Sequence, residues 1–219
     1  MRRVTIVEDH GLIAQTVAAA LTARGTAVVV VDPVRPDAEL LTSVMATEPD
    51  LVLLDLDFGE GRTGLSLVGP LSEAGLPVVM VTGVSDPVRR AECVAAGAVG
   101  VLSKSTSFDE LVTAIERAVS DGGLLSPGER NDHLELLRQH QTSEQRRLAP
   151  FDSLTPREAA VLGGLMEGRS VDEIAKDAFV SVTTVRTQVR AILAKLGVSS
   201  QLAATARANE AGWAPPRGA

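Results

Sequence analysis

The chain has 219 residues, a formal net charge of −7 and a single cysteine, and it is long enough to bury one large core or two small ones. One cysteine closes no loop within the chain. Acids break the apolar run after MRRVTIV too early for a signal-peptide core or a membrane span, so a cytoplasmic protein without membrane contact is expected. With no Tyr and only 2% aromatic residues, there is little to stack on single-stranded nucleic acid.

The charge is uneven. Residues 1–121 carry 9 Lys/Arg against 17 Asp/Glu, residues 122–150 carry 4 against 4, and residues 151–219 carry 8 against 7. An acidic first half disfavours nonspecific nucleic-acid binding there and suits a cation site or plain solubility.

Five β-rich runs follow one another in that half: RVTIV, AVVVV, LVLLD, PVVMVT and VGVLS, each succeeded by a segment of helical spacing or composition. Apolar runs without strict alternation suit strands buried on both faces, and β-α-β succession implies a parallel sheet covered by helices. The expected fold is α/β, flavodoxin-like (βα)5, with strand order 2-1-3-4-5. Ligands bind such sheets at the carboxyl ends of the strands, where the order reverses between strands one and three.

Strand one ends at Glu8 and Asp9, strand three at Asp55 and Asp57, strand four at Thr82, and strand five runs into Lys104. Converging carboxylates repel unless a cation lies among them, and hard oxygen ligands suit Mg²⁺. Asp55 is therefore expected to accept a phosphoryl group, with Glu8 and Asp9 holding Mg²⁺ and with Thr82 and Lys104 steadying the equatorial oxygens. LVLLDLD also fits the DxD start of haloacid-dehalogenase-like phosphatases, a minor enzymatic alternative. His10, His133 and His140 are too dispersed along the chain to make a metal site of their own.

The fifth unit's helix is predicted from a capping box at Ser107 and Glu110 to about Val119, where DGG ends it. A second box, Ser126 to Glu129 with Pro127 between, opens a polar helical segment. Its thin stripe of Leu134, Leu137 and Leu148 fails after about one heptad, which favours a solvated spacer over a dimer seam. A third box at Thr155 to Glu158 opens four helical segments, at about 156–167, 171–178, 182–196 and 201–211. The tail PPRGA is expected to fray, and Trp213 to plug the packing of the last helices.

In the third of these helices Val185, Val189, Ile192 and Leu196 form one buried stripe. The other face carries Thr183, Arg186, Thr187 and Arg190, and from Ser181 to Leu196 there are three cations and no acid. After a short helix and a tight turn, that is the footprint of a helix laid in a DNA major groove.

The first 120 residues resemble the receiver domain of bacterial two-component response regulators: VEDH, LVLLD, VTG with Thr82, and GAVGVLSK with Lys104. That likeness implies phosphorylation of Asp55 by a sensor histidine kinase, with the backbone carbonyl of Asp57 as a metal ligand. Residues 152–213 resemble the LuxR-type helix-turn-helix of NarL/FixJ regulators: LTPRE, EGRSVDEIA, VSVTTVRTQVRAILAKLGV and QLAATARANEAG. It implies that Arg186, Thr187 and Arg190 face bases, that Thr183, Thr184 and Lys195 approach phosphates, and that the last helix pairs protomers of a homodimer on double-stranded promoter DNA.

The expected organisation is a receiver at 1–121, a helical linker at 122–150, a small all-α helix-turn-helix domain at 151–214 and a tail at 215–219. The chain also departs from these patterns. Gly59 stands where receivers carry Pro, Gly64 falls one residue late after Asp55, Val101 replaces the aromatic switch residue, and Ser105 replaces the customary Pro. Gln188 stands where many relatives have His. Control of transcription without phosphorylation is the alternative these departures leave open.

Overall fold

A computed structural model describes residues 2–216, which divide into two compact units, one ending at Arg138 and the other beginning at Gln139. Residues 217–219 of the expected tail lie outside the described residues. The first unit is a five-stranded parallel sheet in the order β2-β1-β3-β4-β5. Its strands are β1 (Arg3–Val7), β2 (Ala27–Val31), β3 (Leu51–Asp55), β4 (Val78–Thr82) and β5 (Gly100–Ser103). Helices α1 (Gly11–Ala23), α2 (Asp37–Met45), α3 (Leu65–Glu73), α4 (Pro87–Ala95) and α5 (Phe108–Asp121) follow them in turn.

The two-residue side-chain period sorts the strands between two cores. Val52, Leu54, Val78 and Met80 pack with Leu40, Val44, Leu67, Leu71 and Val94 of α2, α3 and α4. Leu51, Leu53, Val79 and Val81 pack with Val17 and Leu21 of α1 and Leu111 and Ile115 of α5. Each fully buried aliphatic side chain stabilises the fold by about 1.5–3 kcal/mol, so the central strands, apolar on both faces, are its anchor. Cys93 is buried in the first of these cores, as helix packing.

The register sets Val7 beside Leu54, Asp55 beside Val81 and Thr82 beside Ser103. The carboxyl ends of β1, β3, β4 and β5 therefore lie along one rim, where the chemistry-bearing residues stand.

Two helix starts differ in detail. At α5, Ser107 Oγ donates to Glu110 Oε2 at 2.6 Å instead of accepting a backbone N–H, so the expected capping box does not close. At α6 (Pro127–Asp152) the box does close: Ser126 N–H donates to Glu129 Oε2 at 2.8 Å, and Glu129 N–H to Ser126 Oγ at 3.3 Å. In that helix Leu134 and Leu137 are half-buried and every residue from Arg138 to Arg147 is exposed.

In the second unit, α7 (Pro156–Met166), α8 (Val171–Asp177), α9 (Val182–Leu196) and α10 (Gln201–Glu210) surround one core. Val185, Val189, Ile192 and Leu196 are the stripe that α9 buries in it. Thr155–Glu158 and Ser170–Glu173 are closed capping boxes that start α7 and α8, and Ser181 caps α9. Trp213 stacks on the buried Phe151, ring centroids 5.2 Å apart.

Candidate functional site: an acidic notch and a basic helix face

At the carboxyl ends of β1 and β3, Glu8 and Asp55 are buried and held by one cation. Lys104, which follows β5, places Nζ 2.8 Å from Asp55 Oδ2 and 2.8 Å from Glu8 Oε2. Burial pushes the Asp55 carboxyl up, Glu8 adds repulsion, and Lys104 pulls it back only in part, leaving it near 6. For Lys104, burial disfavours the charge but the two carboxylates outweigh it, so the ammonium persists above its ordinary range. At neutral pH the Asp55 carboxyl is therefore mainly ionised, beside the Lys104 ammonium.

His10 joins this group without His133 or His140. Its Nδ1 lies 2.9 Å from Glu8 Oε1 and 2.7 Å from Asp9 Oδ1. Glu8, then Asp9, hold the imidazole above its ordinary range. His10 outweighs the effect of burial on Asp9 and keeps that carboxyl below its own. One ligating atom from each of Glu8, Asp9, His10 and Asp55 falls within a 4.8 Å cluster. A mostly oxygen donor set around two buried carboxylates fits a hard divalent cation such as Mg²⁺.

Asp57 and Thr82 are placed differently from those four. The Asp57 carboxylate turns to its own loop and accepts the Gly59 N–H at 2.9 Å, while its backbone N–H donates to Asp55 Oδ1 at 3.3 Å. Its carbonyl accepts no hydrogen bond among the described residues. Thr82 is buried at the end of β4, and its hydroxyl oxygen accepts the Val84 N–H at 2.9 Å.

The late glycine keeps its place all the same. A Cβ on Gly64 would stand 2.2 Å from the Asp55 carbonyl oxygen, so only glycine fits there. In the turn before it, Gly59, Glu60 and Gly61 all have positive φ. Val101 is buried in the core, and no peptide bond among the described residues is cis at Ser105 or elsewhere.

On the second unit, Thr183, Thr184, Arg186, Thr187 and Arg190 are exposed on α9. Arg186 and Arg190 have no side-chain partner among the described residues, so both guanidinium groups are available. Thr187 Oγ1 donates to the Thr183 carbonyl at 3.0 Å, and the Thr184 hydroxyl lies 2.8 Å from Ser181 Oγ in the cap.

Lys195, expected to approach phosphate, is paired within the second unit. Its Nζ donates to Glu158 Oε2 at 2.6 Å and to the Ser153 carbonyl at 2.8 Å. The same Glu158 oxygen accepts the Thr155 N–H at 2.7 Å, so Lys195 braces the start of α7. Sequence alone misses this pair because 37 residues separate its members.

The family "Response regulator receiver domain" matches residues 4–116, and "Bacterial regulatory proteins, luxR family" matches residues 152–208. A Haemophilus influenzae nitrate/nitrite response regulator protein homolog is 33% identical over 93% of this chain and 94% of its own. A probable transcriptional regulatory protein NarL of Mycobacterium tuberculosis is 30% identical over 94% and 93%. Among solved structures, a LuxR-family two-component response regulator from Aurantimonas sp. superposes with a TM-score of 0.50 at 24% identity, covering 64% of this chain and 97% of that one, a likeness of fold. The chain belongs to the two-component response regulators that join a receiver domain to a LuxR-family regulatory domain.

Proposed function

We propose that Asp55 accepts a phosphoryl group from a sensor histidine kinase, and that this changes dimerisation and promoter binding by the second unit. The observation that carries the reading is Lys104 Nζ at 2.8 Å from both Asp55 Oδ2 and Glu8 Oε2, a buried nucleophile beside a fixed positive charge. The Asp55 carboxylate attacks phosphorus, an O–P bond forms as the N–P bond to the donor histidine breaks, and the imidazole, protonated at its other ring nitrogen, departs as the neutral base. Glu8, Asp9, Asp55 and the Asp57 carbonyl would hold Mg²⁺, which supplies neutralisation of the phosphoryl charge. Lys104 and Thr82 serve the equatorial oxygens. The role is stoichiometric acceptance, not the turnover of a phosphatase.

The DNA-reading face of α9 is assigned on the same footing: Arg186, Thr187 and Arg190 to base edges, Thr183 and Thr184 to phosphates, on duplex promoter DNA in the cytoplasm. Lys195 reaches phosphate only at the cost of its pair with Glu158. No helix among the described residues is long and apolar enough to cross a membrane.

Sedimentation velocity with and without phosphoramidate and Mg²⁺ tests the coupling. A dimer fraction and promoter affinity that rise on treatment support it. Values that stay fixed while Asp55 carries phosphate place control outside phosphorylation, as in an atypical receiver.

A further inference from the structure

The turn between β3 and α3 holds a set of contacts that neither phosphoryl acceptance nor DNA recognition requires. Gly59, Glu60 and Gly61 run at φ of 72°, 51° and 77°, a conformation glycine adopts freely and Glu60 at some cost. The turn leans on the acidic notch, since a Cβ on Gly59 would stand 3.7 Å from Asp9 Oδ2. Two glycines in so short a turn leave it much freedom to lose, and an anchor outside the turn limits that freedom.

Arg62 is that anchor. Its Nη1 donates to the Pro33 carbonyl at 2.6 Å and its Nη2 to the Arg35 carbonyl at 2.6 Å, both in the loop after β2. The guanidinium also lies 3.6 Å from Asp37 Oδ1 and 5.8 Å from the ring centroid of the buried Phe58. Within the turn, Arg62 N–H donates to the Gly59 carbonyl at 2.9 Å, and the Arg62 carbonyl accepts the Phe58 N–H at 3.1 Å. One side chain thus ties the residues just after Asp57 to a loop more than 25 positions earlier, through a planar two-donor fork that lysine lacks.

We propose that Arg62 is a positioning residue for the cation site: its clamp on the Pro33 and Arg35 carbonyls holds the Asp57 carbonyl at the rim of the notch and so sets divalent-cation affinity. The proposal rests on the metal-assisted reading above but not on phosphoryl uptake. Asp57 is joined to the clamp residue through Gly59, whose N–H donates to the Asp57 carboxylate and whose carbonyl accepts the Arg62 N–H. When the clamp opens, the turn that carries this oxygen gains conformations, and each must be given up again on binding metal.

The test is Mn²⁺ binding to the full chain, followed by the electron paramagnetic resonance of the free ion. Wild type is compared with Arg62→Ala, Arg62→Lys and Asp37→Asn, the last removing the ion pair while leaving both carbonyl bonds. Arg62→Ala is expected to bind Mn²⁺ ~10-fold more weakly, Arg62→Lys to fall between, and Asp37→Asn to stay within about twofold of wild type, given the small worth of an exposed pair. Should the alanine variant not fold, Arg62→Lys carries the test on its own. Wild-type affinity in the Arg62 variants, or an equal loss in Asp37→Asn, overturns the proposal. Wild type that binds Mn²⁺ but takes up no phosphoryl group removes the acceptor reading and leaves the clamp standing. Wild type that binds no Mn²⁺ removes both.

Discussion

Gly64 lies against Asp55 so closely that a methyl group on it would come within 2.2 Å of the Asp55 carbonyl oxygen, with Leu54 and Phe58 side chains 3.1 Å away on its other sides. Backbone is on one side and packed core on the other, so nothing flexible can yield. Gly64→Ala is expected to destabilise the receiver unit by ~1–3 kcal/mol. Chemical denaturation followed by far-UV circular dichroism checks this, and an unchanged midpoint would mean that the turn tolerates a side chain there.

The raised Asp55 carboxyl fixes the sign of a pH effect. Its folded value near 6 lies above its unfolded value of 3.8, so the folded state binds the proton more tightly. Its contribution to stability is fully present below 3.8 and is lost as pH rises through about 6. Relative to Asp55→Asn, which does not titrate, wild type should therefore gain thermal stability as pH falls from 7.5 towards 5. A gap between the two that is flat with pH would contradict the raised value.

Glu158 titrates in the opposite direction. Burial alone would raise it, but Lys195 and the Thr155 groups outweigh burial and hold it below the ordinary range. Its stabilising contribution is present above the unfolded value of 4.5 and lost as pH falls through the lower folded one. Lys195→Met and Glu158→Gln should each destabilise the second unit, and the double variant should lose less than the sum, with a coupling of ~1–3 kcal/mol. Additive losses would show that the 2.6 Å contact carries no energy.

These cases show where the sequence is informative. The sheet order and the acidic notch could be read from it because each of Glu8, Asp55, Thr82 and Lys104 sits at the end of its own apolar run, and parallel strands bring such ends to one rim. The α9 stripe was legible because a period of 3.6 residues is local. Arg62 and the Lys195–Glu158 pair were not legible. Each acts through a side chain reaching a group whose nearness is set by the tertiary fold, and Lys195 within a basic helix face looks like any other DNA-facing cation. Capping boxes fall between: Ser126 and Thr155 close theirs, whereas Ser107 with the same spacing turns its hydroxyl to the Glu110 carboxylate instead.

Arg186 is exposed with no partner to surrender, so its removal should be felt only on DNA. Arg186→Ala is expected to cost ~1–3 kcal/mol of discrimination between cognate and scrambled duplexes, with the thermal midpoint of the free protein unchanged. Titration by fluorescence anisotropy at fixed salt decides it. Equal losses on both duplexes would reduce Arg186 to a phosphate contact.

The central claim is that Asp55 takes up a phosphoryl group in a notch assembled from four strand ends. Intact-mass and peptide mass spectrometry after incubation with phosphoramidate and Mg²⁺ tests it most directly. One phosphoryl group per chain is expected, located at Asp55, absent from Asp55→Asn and from wild type treated without the divalent cation. A folded wild type that remains unmodified, or an adduct that persists in Asp55→Asn, would contradict it.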